Sequence, residues 1–179
     1  EMRPSSGGKL RMKFVMPSRG MIGYQGEFMT DTRGSGVLSR IFTGYGPYKG
    51  DIAGRRNGVL ISNATGVAVE YALWGLEERG VLIIPHGVRI YEGMIIGQHS
   101  RDNDLEVNAL KAKQLTNIRT TSKDEAVKLT PPRIPTLEQA IAYIEEDELM
   151  EVTPKNIRLR KRFLDPNLRK RMEKSAKTA

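Results

Sequence analysis

Cations and neutral hydrogen-bonding side chains alternate through residues 109–127, a run with no apolar face to pack. The side chains with binding chemistry are Lys111, Lys113, Gln114, Thr116, Asn117, Arg119 and Lys123. Lysine and arginine neutralise phosphates, whereas amides and hydroxyls bond sugar and base edges, so this mixture suits folded RNA. A loop of this length between strand-like segments is usually functional or disordered. Composition alone favours the second interpretation, a disordered surface loop whose lysines are solvated, over RNA binding.

A second basic segment, residues 157–163, alternates arginine with apolar residues. The strand period of two puts its three arginines on one face, where they repel each other unless an anion lies across them. RNA phosphate fits the planar fork of arginine, and the acidic cluster at residues 145–148 is the alternative partner. We favour phosphate for at least two of the three. A further arginine, Arg101, lies in the turn expected after residue 98. The predicted RNA-binding residues of these two segments are Arg101, Arg158, Arg160, Lys161 and Arg162.

The charge distribution also favours a polyanionic partner. The net charge is +8, and residues 155–179 hold ten basic residues against two acidic ones, so the whole excess lies in this tail. RNA is preferred over a membrane, because the tail lacks an apolar stripe rich enough to insert. No apolar run approaches the roughly 20 residues of a membrane span, and no signal peptide is expected. The absence of cysteine excludes disulfides and fits a cytoplasmic protein.

Catalytic chemistry is not expected in this chain. It contains no Gly-x-x-x-x-Gly-Lys-Ser/Thr sequence to cradle phosphates, and no Ser/His/Asp or Cys/His set. His99 stands in a turn-like HSRDND sequence without a second histidine at ligand spacing, so we predict no metal site.

The apolar pattern predicts an α+β protein. Residues 9–16 alternate as a half-buried strand, a helix follows Pro17, and residues 37–42 form a second strand. After a glycine-rich linker, short apolar runs between residues 59 and 96 suggest a small barrel or sandwich, with residues 67–73 as one strand and Trp74 in the core. Two helices are expected near the end, one from a Thr-x-x-Gln capping box at Thr136 with an acidic C-terminus, one from Asp165.

Three strings carry a resemblance to a known family. EGMIIGQHSRDNDLEVN (residues 92–108), KxLTNxR (113–119) and TSKDEAV (121–127) resemble the C-terminal domain of the BipA/TypA family of bacterial translational GTPases. PSRGMIGYQGEFMTDTRGSG (17–36) resembles the second half of the ferredoxin-like domain V of elongation factor G. The resemblance favours the RNA interpretation of the loop over the solvated one.

This resemblance implies a fold and a domain plan. Residues 1–48 would be the second half of a ferredoxin-like module whose first half lies upstream. Residues 49–179 would be a mostly β C-terminal domain with two or three short helices and the long basic loop. The chain would then be a C-terminal fragment, and the cut sheet would leave an unpaired edge at residues 9–16 or 37–42 that favours self-association.

The resemblance also implies a function. In that family the loop reaches toward the peptidyl-transferase region of the large ribosomal subunit and the acceptor end of an A-site tRNA. We therefore expect ribosome binding through rRNA and tRNA, in subunit assembly or stress-dependent translation. GTP and Mg²⁺ would belong to an N-terminal domain of the parent, and this fragment would need no cofactor. The alternative is a protein-interaction module that uses the acidic helix and the basic tail.

Overall fold

The computed structural model describes residues 1–50, 54–112 and 128–178. Contacts divide the chain into two compact units, Glu1–Ile52 and Ala53–Ala179. Both units mix helices with strands, so the α+β class is confirmed. Within the described residues, no helix is long and apolar enough to cross a bilayer.

Unit 1 begins with a small hairpin. Strands β1 (Met2–Pro4) and β2 (Leu10–Met12) pair antiparallel, with Met2 opposite Met12. A 3-10 turn at Ser18–Met21 precedes helix α1 (Tyr24–Asp31). Gly23 separates the two with a φ of 76°, a left-handed conformation that suits glycine, so the expected helix is split there.

The two strands expected in unit 1 differ from the structure. Only three residues of the run at 9–16 form a strand, and both apolar side chains of β2 are exposed rather than half-buried. Residues 37–42 form no strand, because no described strand pairs with this segment. The side chains of Val37, Ile41 and Phe42 are largely exposed. Pairing gives a strand its regular hydrogen bonds, and an apolar pattern alone does not supply it. Self-association through this segment stays a prediction.

The described strands of unit 2 are β3 (Val59–Ser62), β4 (Gly66–Val67), β5 (Gly80–Leu82), β6 (Arg89–Ile90), β7 (Met94–His99), β8 (Leu105–Val107), β9 (Glu148–Val152) and β10 (Ile157–Lys161). Six of them form an open sheet in the order β8, β3, β7, β10, β9, with β5 also paired to β7. Strands β3 and β8 run parallel, and the other pairs in this sheet are antiparallel. A separate two-stranded sheet joins β4 to β6.

In the described part of unit 2, three helices accompany these strands: α2 (Glu70–Glu77), α3 (Leu137–Tyr143) and α4 (Pro166–Thr178). One core cluster joins Leu60 and Ile96 to the buried side of α2, and a second joins Ile61 and Ile95 to Ala140 of α3. Both faces of the central strands are therefore covered, which explains why they read as continuous apolar runs. An open sheet with helical cover replaces the expected barrel or sandwich.

Helix α2 overturns two expectations. Residues 67–73 were expected to form a strand, yet the helix starts at Glu70. The spacing of Leu73 and Leu76 fits a helical period and buries both on the sheet. Trp74 then lies on the opposite side, where it is 50% exposed rather than in the core.

The capping box at Thr136 is confirmed. The Gln139 amide donates to Thr136 Oγ1 at 3.3 Å, and the Thr136 amide donates to Gln139 Oε1 at 3.0 Å. Helix α3 ends at Tyr143, so the acidic cluster does not lie at its C-terminus but in the following turn and at the start of β9. Asp165 begins α4 as expected, accepting from the Leu168 amide at 2.9 Å.

Replacement of the cap gives a first test of this fold. We expect Thr136→Ala to lower the free energy of unfolding by about 1 kcal/mol, because one amide at the start of α3 loses its acceptor. Thr136→Ser, which keeps the hydroxyl, should cost less than half of that. Urea unfolding measures both values, and equal losses in the two variants would contradict a role for the hydroxyl.

Candidate nucleic-acid interface

The β9–β10 hairpin positions two of the predicted arginines. Arg158 and Arg160 are half-buried on one face of β10, and the alternate residue Leu159 is buried in the second core cluster. The register puts Arg158 opposite Glu151 of β9. Arg160 reaches the same carboxylate diagonally, with Nε 2.9 Å from Glu151 Oε1. Glu151 therefore pairs with Arg160 and lies opposite Arg158 in the strand register, without an ion pair to Arg158.

Glu151 is held by a third group from β6–β7. The Tyr91 hydroxyl donates to Glu151 Oε2 at 2.9 Å. Burial, together with this bond to an anion, raises the pKa of Tyr91, so its phenol stays a donor well into the alkaline range. Glu151 is thus an internal anion for Arg160, a partner that the sequence interpretation missed. The turn sequence Thr-Pro-Lys-Asn at 153–156 was the available signal, because it fixes the hairpin register.

Lys161 must be removed from the predicted RNA-binding set. It is only 2% exposed, and its ammonium lies 2.6 Å from Asp104, 2.7 Å from Asp147 and 3.0 Å from Glu148. Burial disfavours its charge, but these carboxylates outweigh burial and raise the pKa of Lys161. The alternation of β10 puts it on the same side as Leu159, which faces the core. It therefore cannot reach a phosphate.

The same cluster contains a second buried ion pair. Arg55 donates to the Glu148 carboxylate from both terminal guanidinium nitrogens, with Nη1 2.6 Å from Oε2. Nη1 also donates to the Tyr143 carbonyl at 3.1 Å. Burial opposes ionisation of Glu148, but the bonds from Arg55 and the nearby Lys161 outweigh it and lower the pKa of Glu148. We call Arg55, Asp104, Asp147, Glu148 and Lys161 the buried charge network, in which the side chains of Arg55, Glu148 and Lys161 are buried and the two aspartates lie at its exposed edge.

Part of the acidic cluster thus has internal partners. Asp147 and Glu148 pair with Lys161, and Glu145 lies 3.8 Å from the Arg55 guanidinium. No described carboxylate lies within ion-pair distance of Arg158 or Arg162. The acidic cluster at residues 145–148, which the sequence offered as the alternative partner of the three arginines, therefore pairs with Lys161 and Arg55 instead.

The remaining predicted cations lie at separate places. Arg162 is exposed just beyond β10, and its amide donates to the Asp147 carbonyl at 2.8 Å. Arg101 is exposed in the turn after β7, a turn that also contains Asp104 of the buried charge network. Lys111 is exposed two residues after Ala109, whose carbonyl accepts from the Val69 amide at the start of α2. Arg101 and Arg162 thus flank one network, whereas Lys111 adjoins α2.

Six predicted loop residues lie outside the described ranges: Lys113, Gln114, Thr116, Asn117, Arg119 and Lys123. Their contacts stay predictions. The His99 side chain is buried, with Nδ1 2.5 Å from the Asn103 carbonyl. Among residues 1–50, 54–112 and 128–178, no group of three or more His, Cys, Asp and Glu side chains is placed to hold a metal.

Comparison with known proteins follows the same division of the chain. The TypA/BipA C-terminal domain matches residues 57–166, and the elongation factor G C-terminus matches residues 1–56. The chain belongs to the TypA/BipA family. The first match includes β3–β10, and with them the Arg158–Glu151–Arg160 group.

Curated relatives of this family are similar over nearly the whole chain. The large ribosomal subunit assembly factor BipA of Haemophilus influenzae is 53% identical over 98% of this chain, and that of Escherichia coli K12 is 52% identical over 98%. The Bacillus subtilis protein of the same name is 47% identical over 100% of this chain. The chain spans about 29% of the length of each of these relatives.

Proposed function

We propose that this chain is the ribosome-binding C-terminal region of a translational GTPase that acts in large-subunit assembly or in stress-dependent translation. The match to the TypA/BipA C-terminal domain carries this proposal, because it includes more than half of the chain and its relatives are named large ribosomal subunit assembly factors. GTP and Mg²⁺ belong in this proposal to a separate GTPase domain of the parent, in the bacterial cytoplasm. In this proposal the chain itself binds the ribosome and positions the factor on it.

The proposal divides the cations by their freedom to contact RNA. Three exposed or half-buried arginines of unit 2, Arg101, Arg158 and Arg162, hold rRNA phosphates. Arg160 contacts a phosphate only by competing with Glu151. Lys111 and the six loop residues outside the described ranges contact rRNA and the acceptor end of the A-site tRNA. Residues 1–48 form the elongation-factor-like domain, and 49–179 the RNA-binding one.

The alternative function, a protein-interaction module built on the acidic segment and basic tail, has less support. Asp147 and Glu148 are already paired inside unit 2. The tail is also partly engaged, because Arg169 is buried and binds Glu106 at 3.0 Å. The charges that such a module would offer to a partner are therefore reduced.

Salt dependence distinguishes the two functions. We expect the affinity of the chain for purified large ribosomal subunits to fall with a log–log salt slope of roughly −2 to −3, because each phosphate neutralised contributes about −0.7 to −0.9. Sedimentation of the complex at several KCl concentrations between roughly 50 and 400 mM measures this slope. A slope near zero would refute anchoring through phosphates.

A further inference from the structure

Helix α2 presents an outward aromatic face that the proposed RNA-binding function does not use. Ala72, Leu73 and Leu76 face the core. On the opposite side, Tyr71 is 39% exposed and Trp74 is 50% exposed. Their ring centroids lie 6.3 Å apart at an interplanar angle of 45°, so the two rings form one tilted surface. Exposed tryptophan and tyrosine in contact are typical of binding hot spots.

Gly75 leaves the helix backbone bare beside these rings. It lies four residues after Tyr71, on the same face, in an ordinary helical conformation. A Cβ built there meets no heavy atom of the described residues within 4 Å. Packing therefore does not require glycine, and glycine weakens a helix relative to almost any other residue. The bare backbone leaves room for a group to lie flat beside the rings.

The charges around this face select the ligand class. Glu78 lies seven residues after Tyr71, continues the helical dihedrals as the C-cap and is exposed on the same face. Glu70 is exposed beside Trp74 on the helix surface. Carboxylates at this position repel the phosphates of RNA and attract a guanidinium, which also stacks favourably on tryptophan and tyrosine.

We propose that Tyr71, Trp74, Gly75 and Glu78 form a docking surface for an arginine-bearing segment of another protein. A guanidinium stacks on the aromatic rings over Gly75, and its edge pairs with Glu78. We call these four residues the aromatic face. It shares no residue with the proposed phosphate contacts.

The experiment uses the fact that Trp74 is the only tryptophan in the 179-residue chain. A capped heptapeptide of alternating glycine and arginine is titrated into the chain while tryptophan emission is recorded. We expect a saturable change in emission, and no such change with matched peptides in which glutamate or glutamine replaces arginine. An oligouridine of ten nucleotides should also leave the emission unchanged, whereas a stronger response to it than to the arginine peptide would overturn the proposal in favour of RNA.

Variants are compared by the fluorescence anisotropy of a fluorescein-labelled arginine peptide. We expect Trp74→Ala to weaken binding about five-fold or more, and Glu78→Gln about two- to three-fold. Glu138→Gln removes an equally exposed charge from α3 and should change the affinity by less than about 1.5-fold. Equal effects of Glu78→Gln and Glu138→Gln would mean that only net charge matters, which would overturn the proposal.

Gly75→Gln separates binding from folding. We expect the variant to melt at a higher temperature than the parent chain, because glutamine is the better helix former, yet to bind the peptide at least about five-fold more weakly. Undiminished binding by this variant would show that the space above Gly75 is not used. Emission that changes on dilution without peptide would assign the aromatic face to a second copy of the chain and would likewise overturn the proposal.

Discussion

Replacing Glu148 with alanine should destabilise unit 2 by about 3–5 kcal/mol, the largest loss that we expect from a single substitution in this chain. Glu148 is 3% exposed and lies between two buried cations, Arg55 and Lys161. The substitution leaves Arg55 without its bidentate partner and takes one of three carboxylates from Lys161. Because a typical domain is stable by only 5–15 kcal/mol, this loss is a large fraction of the total.

The neighbour Glu146 provides a matched control. It carries the same charge two residues away and is exposed in the turn before β9. We expect Glu146→Ala to change the free energy of unfolding by no more than about 0.5 kcal/mol. Urea unfolding of both variants, followed by circular dichroism, measures the difference. A loss below about 1 kcal/mol for Glu148→Ala would show that water reaches the cations and replaces the carboxylate.

The pH dependence gives a second readout of the same prediction. The pKa of Glu148 is lower in the folded chain than its ordinary value of 4.5. Its contribution is therefore present above pH 4.5 and is lost as the pH falls through the lower folded-state pKa. The stability of Glu148→Gln, which has no proton to bind there, should fall less steeply below pH 4.5. The pKa of Lys161 is raised in the folded chain, so the stability that Lys161 contributes is lost only in alkaline solution, above pH 10.5.

Local sequence patterns predicted those elements whose signal is local. The Thr136–Gln139 capping box and the Asp165 N-cap depend on residues three positions apart, and both are present. Residues 59–61 and 94–96 are buried strands, as their apolar runs predicted. The strand predicted at residues 67–73 was wrong, because a short apolar run fits both the strand period and the helical period. The helical spacing of Leu73 and Leu76 was overlooked in favour of an apolar run.

The site was predicted less completely, because its partners are distant in sequence. Alternate residues of a strand face opposite sides, so Lys161 lies on the same side of β10 as the buried Leu159. The burial of Lys161 could therefore have been predicted from the same alternation that places the three arginines on one face. Its partner Asp104 is 57 residues away, and Arg55 is 93 residues from Glu148, distances at which no spacing rule operates. Tertiary packing alone brings these charges together. Only Leu10–Met12 of the strand predicted at residues 9–16 forms, and the strand predicted at 37–42 is absent, because strand pairing also depends on distant segments.

The second large effect that we expect concerns RNA binding by the two arginines without a described carboxylate partner. Arg158→Gln and Arg162→Gln together should weaken binding to large ribosomal subunits about ten-fold near physiological salt, and should flatten the log–log salt slope by about 1.4–1.8. The reason is the loss of two phosphate contacts. Sedimentation at several KCl concentrations measures both quantities, and circular dichroism confirms that folding is retained.

Glu151→Gln is the matched opposite of this double variant, because it removes the anion that pairs with Arg160. With Glu151 neutral, Arg160 becomes free to contact a phosphate, so we expect tighter binding and a slope steeper by about 0.7–0.9. Replacing the loop residues Thr116, Asn117 and Arg119 should instead leave the slope nearly unchanged while abolishing activity of the full-length factor in cells. If Glu151→Gln weakened binding as the arginine variant does, the hairpin would bind through its shape, and phosphate anchoring by Arg158 and Arg162 would be wrong.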